Sequence, residues 1–305
     1  MKEKKIRGHL AALTSVCVWG FAFVIIVILL ESFTPVEILF FRFGLAALAL
    51  YVIYPRKMAK TTRKQELCLM AAGLVGITSH FLLQDFALMH TAASNVSVIV
   101  AISPVFTIFI SWLFLGRERP KAAFFLGAFL AVSGIAFINF AGRQLELHPL
   151  GDLLAILCAL CWAVYSVLMK KIGTFGLHVI PATRRVFLYG LIFLLPALFV
   201  SDFHLGFARF LEPRNLFSIL YLGLGSSAVC FVLWNFSLDQ LGPVRTSVYI
   251  YLIPLVSVAA AVLILGEIVT WLKVGGIVLV LTGLIISGRK SGKSTEMKTS
   301  VSNTA

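Results

Sequence analysis

Apolar runs of roughly 20 residues recur along this chain, and short polar connections separate them. A helix rises about 1.5 Å per residue, so such a run is about 30 Å long and matches the hydrocarbon core of a bilayer. The pattern predicts an all-α integral membrane protein with ten transmembrane helices. Their predicted ranges are 8–30, 36–54, 67–89, 95–115, 122–140, 150–169, 180–200, 215–239, 246–265 and 270–288.

The pattern is duplicated between the two halves of the chain. The stretch Asn95–Gly116 returns 150 positions later as Arg245–Gly266, with a proline at the same place in both. Each half holds five predicted helices, and because five is odd, the second half enters the membrane from the opposite side. We therefore predict two inverted five-helix repeats with a cavity between them, a build typical of secondary transporters.

The predicted organisation follows from these repeats. A cytoplasmic N-terminus covers 1–7, the first repeat covers 8–141, and the second, inverted repeat covers 150–288. The polar tail 289–305 is predicted to be disordered and cytoplasmic.

Composition and charge agree with a membrane protein. The chain is 60% hydrophobic and 13% charged, whereas soluble domains are about 45–50% apolar and about 25% charged. The formal charge of +13 reflects lysines and arginines that flank apolar spans, so we expect no nucleic-acid partner. Of the 26 basic residues, 19 fall in connections on one side of the predicted membrane and 4 on the other. The positive-inside rule then predicts a multi-pass membrane protein with both termini in the cytoplasm.

Several short motifs occur in order and again in the second half. VWGFAF begins at Val18, FFRFG begins at Phe40, and the first proline-containing span ends in LFLG. CWAVYSVLMKK begins at Cys161, and LILGE ends at Glu267. Over residues 8–288 the chain resembles the EamA family of the drug/metabolite transporter superfamily. That resemblance implies a ten-span inner-membrane carrier that exports amino acids and related metabolites. The first half departs from the pattern at Arg117, within a surface loop.

Arg42 and Asp85 are charged residues inside predicted spans, where an unpaired charge is costly and indicates function. Arg42 and Asp85 have similar predicted depths, so they are expected to pair, either as a structural ion pair or as part of a gate or substrate site. The repeat relates Arg42 to Arg185 and Asp85 to Asn235. The hypothesis is that the two pairs close opposite ends of the cavity in turn, and Arg184 competes with Arg185 for this role.

Polar residues in the third predicted span suggest cavity chemistry. His80 titrates near neutral pH as a free side chain and is a candidate for a proton-coupled step, although a histidine hydrogen-bonded inside the bundle fits the same pattern. Gln84 lies one turn further on. The first span, Gly8–Leu30, contains no acid, so the glutamate-based proton coupling of the smaller four-span relatives is not carried over. Protons remain one candidate for the coupling ion.

Aromatic residues inside spans are candidates either for the cavity wall or for packing. Trp19 and Trp162 occupy equivalent positions in the two halves. Tyr165 lies one helical turn from Trp162 on the same face. Asn95 and Tyr249 add polar groups to the fourth and ninth predicted spans.

Two kinds of small or rigid residue also repeat. Pro104 and Pro254 each remove a backbone hydrogen bond near the middle of a span, which predicts either a static kink or a hinge. Glycine pairs seven residues apart in the fifth and tenth spans predict close helix packing, within the half or between subunits. These glycines are Gly127, Gly134, Gly276 and Gly283.

The sequence therefore predicts a secondary transporter of small organic metabolites that works by alternating access, exporting amino acids or related compounds. The alternative is an uptake or exchange carrier for an organic anion or phosphorylated metabolite, with Arg42 and Arg185 as anchors. The enzyme motifs HExxH and GxSxG and a phosphate-binding loop are lacking, so we expect no catalytic residues, cofactor or metal. The expected partners are a small-molecule substrate and the lipid bilayer, with the protein a monomer or a homodimer.

Overall fold

A computed structural model describes residues 2–56, 59–90, 96, 99–116, 122–140, 148–201, 203–256, 259–260 and 271–288. Within these ranges the chain is helical and contains no strand. The main helices are α1 (Lys2–Leu30), α2 (Pro35–Ile53), α3 (Arg63–His90), α4 (Ser103–Leu115), α5 (Ala122–Phe140), α6 (Pro149–Gly173), α7 (Val179–Val200), α8 (Pro213–Leu241), α9 (Pro243–Val256) and α10 (Trp271–Gly288). The predicted tail at 289–305, the loop with Arg117 and the site candidate Asn95 lie outside the described residues.

The predicted class, an all-α membrane protein built from two repeats, is confirmed. Within the described ranges, six helices are long and apolar enough to cross a bilayer: α1, α2, α3, α6, α7 and α8. The shorter apolar helices include α4 and α9, whose predicted spans continue into residues that are not described. The number of ten crossings therefore stays a prediction.

Helix α2 begins at a capping box. Thr34 Oγ1 accepts a hydrogen bond from the backbone N–H of Glu37 at 3.3 Å, and Glu37 Oε2 accepts from the backbone N–H of Thr34 at 2.8 Å. Pro35 follows at the first helical position, where a missing N–H costs nothing. This local sequence fixes the start of the helix that carries Arg42.

Helices α3 and α8 each contain a π-helical segment, a feature that the sequence analysis did not predict. The segment in α3 runs over Leu74–Ser79, and that in α8 runs over Tyr221–Val229. They end directly before His80 and Cys230, which are 150 positions apart and thus equivalent in the repeat. Such segments rotate the side chains that follow them and are frequent at functional sites.

The glycines of α5 and α10 show that the repeats are inverted. A Cβ added at Gly134 would lie 2.6 Å from the carbonyl oxygen of Gly276, and one added at Gly283 would lie 2.4 Å from that of Gly127. Residue numbers rise along one helix as they fall along the other, so these two equivalent helices are antiparallel. The close packing predicted for these glycines occurs, but it joins the two halves of one chain rather than lying within a half or between subunits.

Other helices also pack against helices of the opposite half. Helix α1 packs on α8 as α3 packs on α6, and α2 of the first half packs on its equivalent α7. The largest buried cluster draws residues from both halves. Its aromatic centre is Phe231, whose ring lies 5.6 Å from that of Trp19 and 5.2 Å from that of Phe187.

Candidate functional site

A cavity lies between the halves and is walled by residues of both. Its volume is about 560 Å³ when the space at its mouth is included. Five of the predicted site residues line it: Trp19, Arg42, His80, Gln84 and Trp162. The remaining lining residues are mostly apolar and are not among the predicted site residues: Ala22, Ile26, Phe81, Val100, Ser103, Ser226, Ile250 and Ile253.

Arg42 places a buried guanidinium in the cavity wall. The residue is 2% exposed. Its Nε donates to Ser227 Oγ at 3.0 Å and its Nη2 donates to Ser226 Oγ at 3.3 Å. Both serines lie in the π-helical segment of α8, in the opposite half. The guanidinium carbon also lies 4.6 Å from the centre of the Phe81 ring, where the ring face attracts a cation.

The predicted pairing of Arg42 with Asp85 is wrong as a direct contact. The two groups interact electrostatically, but none of the ion pairs among the described residues joins them. Asp85 is 2% exposed, does not line the cavity, and its Oδ1 has no hydrogen-bond partner within the described part of the chain. The reason is that the π-helical segment of α8 brings two hydroxyl groups to the guanidinium instead.

Trp19 and Trp162 meet at the cavity wall. Their rings pack edge to face with centroids 5.4 Å apart. Trp19 Nε1 donates to the backbone carbonyl of Ser226 at 2.9 Å. Trp162 Nε1 is buried and has no partner among the described residues. The two indoles therefore pack in the core and also line the cavity. A role in the cavity wall and a role in packing, which the sequence left as alternatives, occur together.

His80 is held in one orientation beside the tryptophans. Its Nδ1 lies 3.0 Å from the backbone carbonyl of Cys158. Because a carbonyl only accepts, we assign the ring hydrogen to Nδ1, which leaves Nε2 as an acceptor in the neutral ring. The His80 ring lies 4.9 Å from the nearest Trp162 ring centroid, and Gln84 lines the same wall.

Tyr165 and Asn235 do not line the described cavity. Tyr165 is fully buried, and its hydroxyl donates to Asn235 Oδ1 at 2.9 Å. Asn235 Nδ2 in turn donates to Thr183 Oγ1 at 3.0 Å. This chain of hydrogen bonds joins α6, α8 and α7, and it satisfies polar groups in the packed second half.

The predicted pairing of Arg185 with Asn235 is also wrong. Arg185 Nε lies 2.8 Å from Glu66 Oε1, and its side chain is 39% exposed. The hydroxyl of Tyr189 donates to the same carboxylate. Arg184 Nη1 donates to the backbone carbonyl of Tyr54 at 2.9 Å. The two adjacent arginines thus bind the end of α2 and the start of α3, away from the cavity.

A second arginine–carboxylate pair joins the halves near the start of α2, and the sequence analysis missed it. Arg209 Nη2 lies 2.9 Å from Glu37 Oε1, and its Nη1 lies 3.0 Å from Glu37 Oε2. Glu37 is 1% exposed. The sequence signal for this pair was a glutamate in a capping-box pattern at the start of an apolar helix.

The remaining candidates lie outside the cavity wall or beside it. The hydroxyl of Tyr249 lies 2.7 Å from His9 Nδ1, which links α9 to the start of α1. Pro104 stands in the first turn of α4, just after the turn at Ala101 and Ile102 that separates α4 from the helical residues Ile99 and Val100, so it lies at a break in the predicted fourth span. Pro254 directly follows the 3₁₀ segment Val248–Leu252 and its cap. Ser103 and Ile253, which precede the two prolines, both line the cavity, so the proline repeat could have identified them.

Comparisons with known proteins agree with this architecture. Residues 6–140 and 149–289 each match the EamA-like transporter family. The chain is 30% identical to an "Uncharacterized transporter" of Archaeoglobus fulgidus, over 93% of this chain and 98% of the relative. It is 28% identical to a "Probable terminal-alkyne amino-acid exporter" of Streptantibioticus cattleyicolor, over 95% and 96% of the two chains.

One further relative and one solved structure extend the comparison. Identity is 27% to a "Probable amino-acid metabolite efflux pump" of Escherichia coli, over 92% of this chain and 94% of that protein. A solved crystal structure that is 16% identical shares the fold, with a TM-score of 0.72 over 92% of this chain and 96% of the other. From the two family matches and the shared two-repeat helical fold, we conclude that the chain belongs to the EamA-like transporter family.

Proposed function

We propose that this protein is a secondary transporter that exports amino acids or related small organic metabolites across the plasma membrane. The family and its relatives are transporters, and two relatives carry names that refer to amino-acid export or efflux. The observation that carries the proposal is the cavity between the halves, whose wall includes the equivalent residues Trp19 and Trp162. A site shared by two inverted repeats suits alternating access, because rocking one repeat against the other opens either end.

The contacts between the halves support the same mechanism. Arg185 and Glu66 join α7 to α3, and Arg209 and Glu37 join the connection before α8 to α2. Under the repeat these two links lie at opposite ends of the bundle. In the proposed cycle, one link separates while the other holds, so that the cavity opens to one side at a time.

We place both termini in the cytoplasm. The proposal rests on the distribution of basic residues, with 19 in connections on the side of the N-terminus and 4 on the other side. In this orientation α1, α3 and α8 cross the membrane with the cavity near the middle of each. Export then means loading of the cavity from the side of the N-terminus, with protons as the candidate coupling ion.

The alternative of a carrier for phosphorylated metabolites has less support. It requires at least two cations near the substrate, and Arg42 and Arg185 were the candidates. Arg185 pairs with Glu66, and Arg42 is the charged residue among those described in the cavity wall. One cation suits a single carboxylate better than a phosphate dianion.

The experiment is efflux from liposomes that contain the purified protein and a defined mixture of amino acids, organic acids and sugar phosphates. External solutes are identified over time, with and without a pH gradient. We expect selective efflux of amino acids or related carboxylates, faster with the gradient. Liposomes with the variant Ser103→Trp, which fills the cavity, are the control and should retain their contents. Equal efflux from both, or selective efflux of sugar phosphates, would overturn the proposal.

A further inference from the structure

We propose that the cavity selects an organic monoanion: one carboxylate attached to an apolar body, with no requirement for an amino group. The inference rests on the proposed function in that the cavity is taken as the substrate site. It goes further because it names the chemical group that is recognised and the residue, Arg42, that recognises it.

The hydrogen bonding of Arg42 leaves room for an anionic ligand. The guanidinium donates to two neutral hydroxyl groups, Ser227 Oγ and Ser226 Oγ. No hydrogen bond from its Nη1 and no ion pair to its side chain occurs among the described residues. A buried cation without an anionic contact is costly. A carboxylate that replaces one serine contact and engages Nη1 forms the paired arrangement that guanidinium groups favour.

The other described residues of the wall include hydrogen-bond donors but no acid. Trp162 Nε1 and Ser103 Oγ are buried donors without partners in the described part of the chain, and both residues line the cavity. No aspartate or glutamate appears among the described lining residues. A substrate ammonium group would therefore find no counter-charge at the wall, whereas a carboxylate finds one cation and further donors.

Asp85 limits the bound charge to one. Asp85 is buried, does not line the cavity, and interacts electrostatically with Arg42. In the empty cavity it offsets the positive charge of Arg42 over a distance. A second negative charge on the substrate would face this carboxyl group without a second cation to balance it. Dicarboxylates and phosphates are therefore disfavoured relative to monocarboxylates.

The apolar part of the wall fits a hydrophobic body. The indoles of Trp19 and Trp162 and the ring of Phe81 form one side, and Ile250 and Ile253 of α9 belong to the same cavity. Aromatic rings offer faces and edges on which an aliphatic or aromatic group packs favourably. Branched-chain or aromatic carboxylic acids match this surface better than small polar ones.

The test uses three probes that share one phenyl body. The first, 3-phenylpropanoate, has a carboxylate and no amine, and the second, L-phenylalanine, has both. The third, L-phenylalaninamide, keeps the amine and has an uncharged amide in place of the carboxylate. Binding to the purified full-length protein is measured by calorimetry. We expect the first two to bind with affinities within about tenfold of each other, and the amide to bind at least tenfold more weakly than either.

Variants of Arg42 then test the residue. Arg42→Gln should weaken 3-phenylpropanoate binding at least tenfold, and Arg42→Lys should weaken it less. Arg214→Gln is the matched control, because Arg214 pairs with Glu31 on the surface, and it should bind normally. Equal binding of the amide and 3-phenylpropanoate to the wild-type protein would overturn the inference even if an Arg42 variant failed to fold. So would wild-type affinity in a folded Arg42→Gln protein.

The two proposals fail separately. If the wild-type protein binds 3-phenylpropanoate but releases no solute from liposomes, the proposed transport function is wrong and the specificity of the cavity stands. If amino acids leave the liposomes while the amide binds as tightly as the carboxylates, transport stands and the inference is wrong.

Discussion

Trp19 and Trp162, which occupy equivalent positions in the two inverted repeats, pack edge to face at the cavity wall with ring centroids 5.4 Å apart and an interplanar angle of 82°. They differ in their hydrogen bonds. Trp19 Nε1 donates to the Ser226 carbonyl, whereas Trp162 Nε1 has no partner among the described residues. The repeat thus supplies the same ring twice: the Trp19 ring is hydrogen-bonded to the opposite half, and the Trp162 N–H has no such bond within the described part of the chain.

This difference predicts unequal effects of the same substitution. Trp19→Phe removes the buried hydrogen bond to the Ser226 carbonyl, which should destabilise the protein by about 0.5–1.5 kcal/mol. Trp162→Phe removes no internal bond and should change stability less while weakening carboxylate binding. Thermal unfolding and calorimetry measure the two effects. The reverse order of stabilities would show that the indoles do not have these roles.

Asp85 provides a second prediction. Asp85→Asn keeps the size of the side chain but removes the charge that interacts with Arg42. The guanidinium then has no competing anion, so we expect 3-phenylpropanoate to bind roughly 3- to 10-fold more tightly, equivalent to about 0.7–1.4 kcal/mol. Binding calorimetry on wild type and variant gives this number. Weaker binding in a folded variant would mean that Asp85 supports the bound state rather than opposing it.

The contact between α5 and α10 provides a third prediction, with neighbouring residues as test and control. A Cβ at Gly276 would lie 2.6 Å from the Gly134 carbonyl oxygen, whereas a Cβ at Gly275 meets no atom within 4 Å. Gly276→Ala should therefore destabilise the protein by about 1–3 kcal/mol. Gly275→Ala should leave the stability of the protein unchanged or raise it slightly. Equal effects on unfolding temperature would contradict the antiparallel packing of the two helices.

The pair between Glu37 and Arg209 provides a fourth prediction. Glu37 is 1% exposed and accepts from both terminal nitrogens of Arg209. Glu37→Gln leaves the arginine, whose side chain is 28% exposed, with a weaker partner. We expect the free energy of unfolding to fall by about 1–3 kcal/mol, a range that allows for the partial exposure of the arginine. The control is Glu31→Gln, which breaks the exposed pair with Arg214 and should cost under about 1 kcal/mol.

The fold class and five residues of the cavity wall could be predicted from the sequence, because the class depends on hydropathy and duplication and those five residues are polar or aromatic. Indole, guanidinium and imidazole groups are rare inside apolar spans, so Trp19, Arg42 and His80 could be recognised without coordinates. The apolar wall residues Ile250 and Ile253 could not, because they resemble every other aliphatic residue of a membrane helix.

The wrong predictions for Arg42 and Arg185 arise because the sequence pattern does not specify which side chains surround a residue. Repeat alignment identifies equivalent positions but not side-chain surroundings, so Arg185 was assigned the role of Arg42 although it pairs with Glu66 at the start of α3. The π-helical segments were also missed, because a local extra residue per turn leaves no hydropathy signal. The π-helical segment of α8 brings Ser226 and Ser227 to Arg42. Arg42 therefore binds these hydroxyl groups rather than making the predicted direct contact with Asp85.

The central claim is that the cavity between the inverted halves carries an organic solute by alternating access. Counterflow tests it most directly: liposomes loaded with unlabelled L-phenylalanine are diluted into a trace of labelled L-phenylalanine. We expect the wild-type protein to accumulate label transiently above its equilibrium level, and the cavity-filling variant Ser103→Trp to show no such overshoot. Label that only equilibrates in the wild type, as through an open pore, or an equal overshoot in the filled variant, would contradict the account.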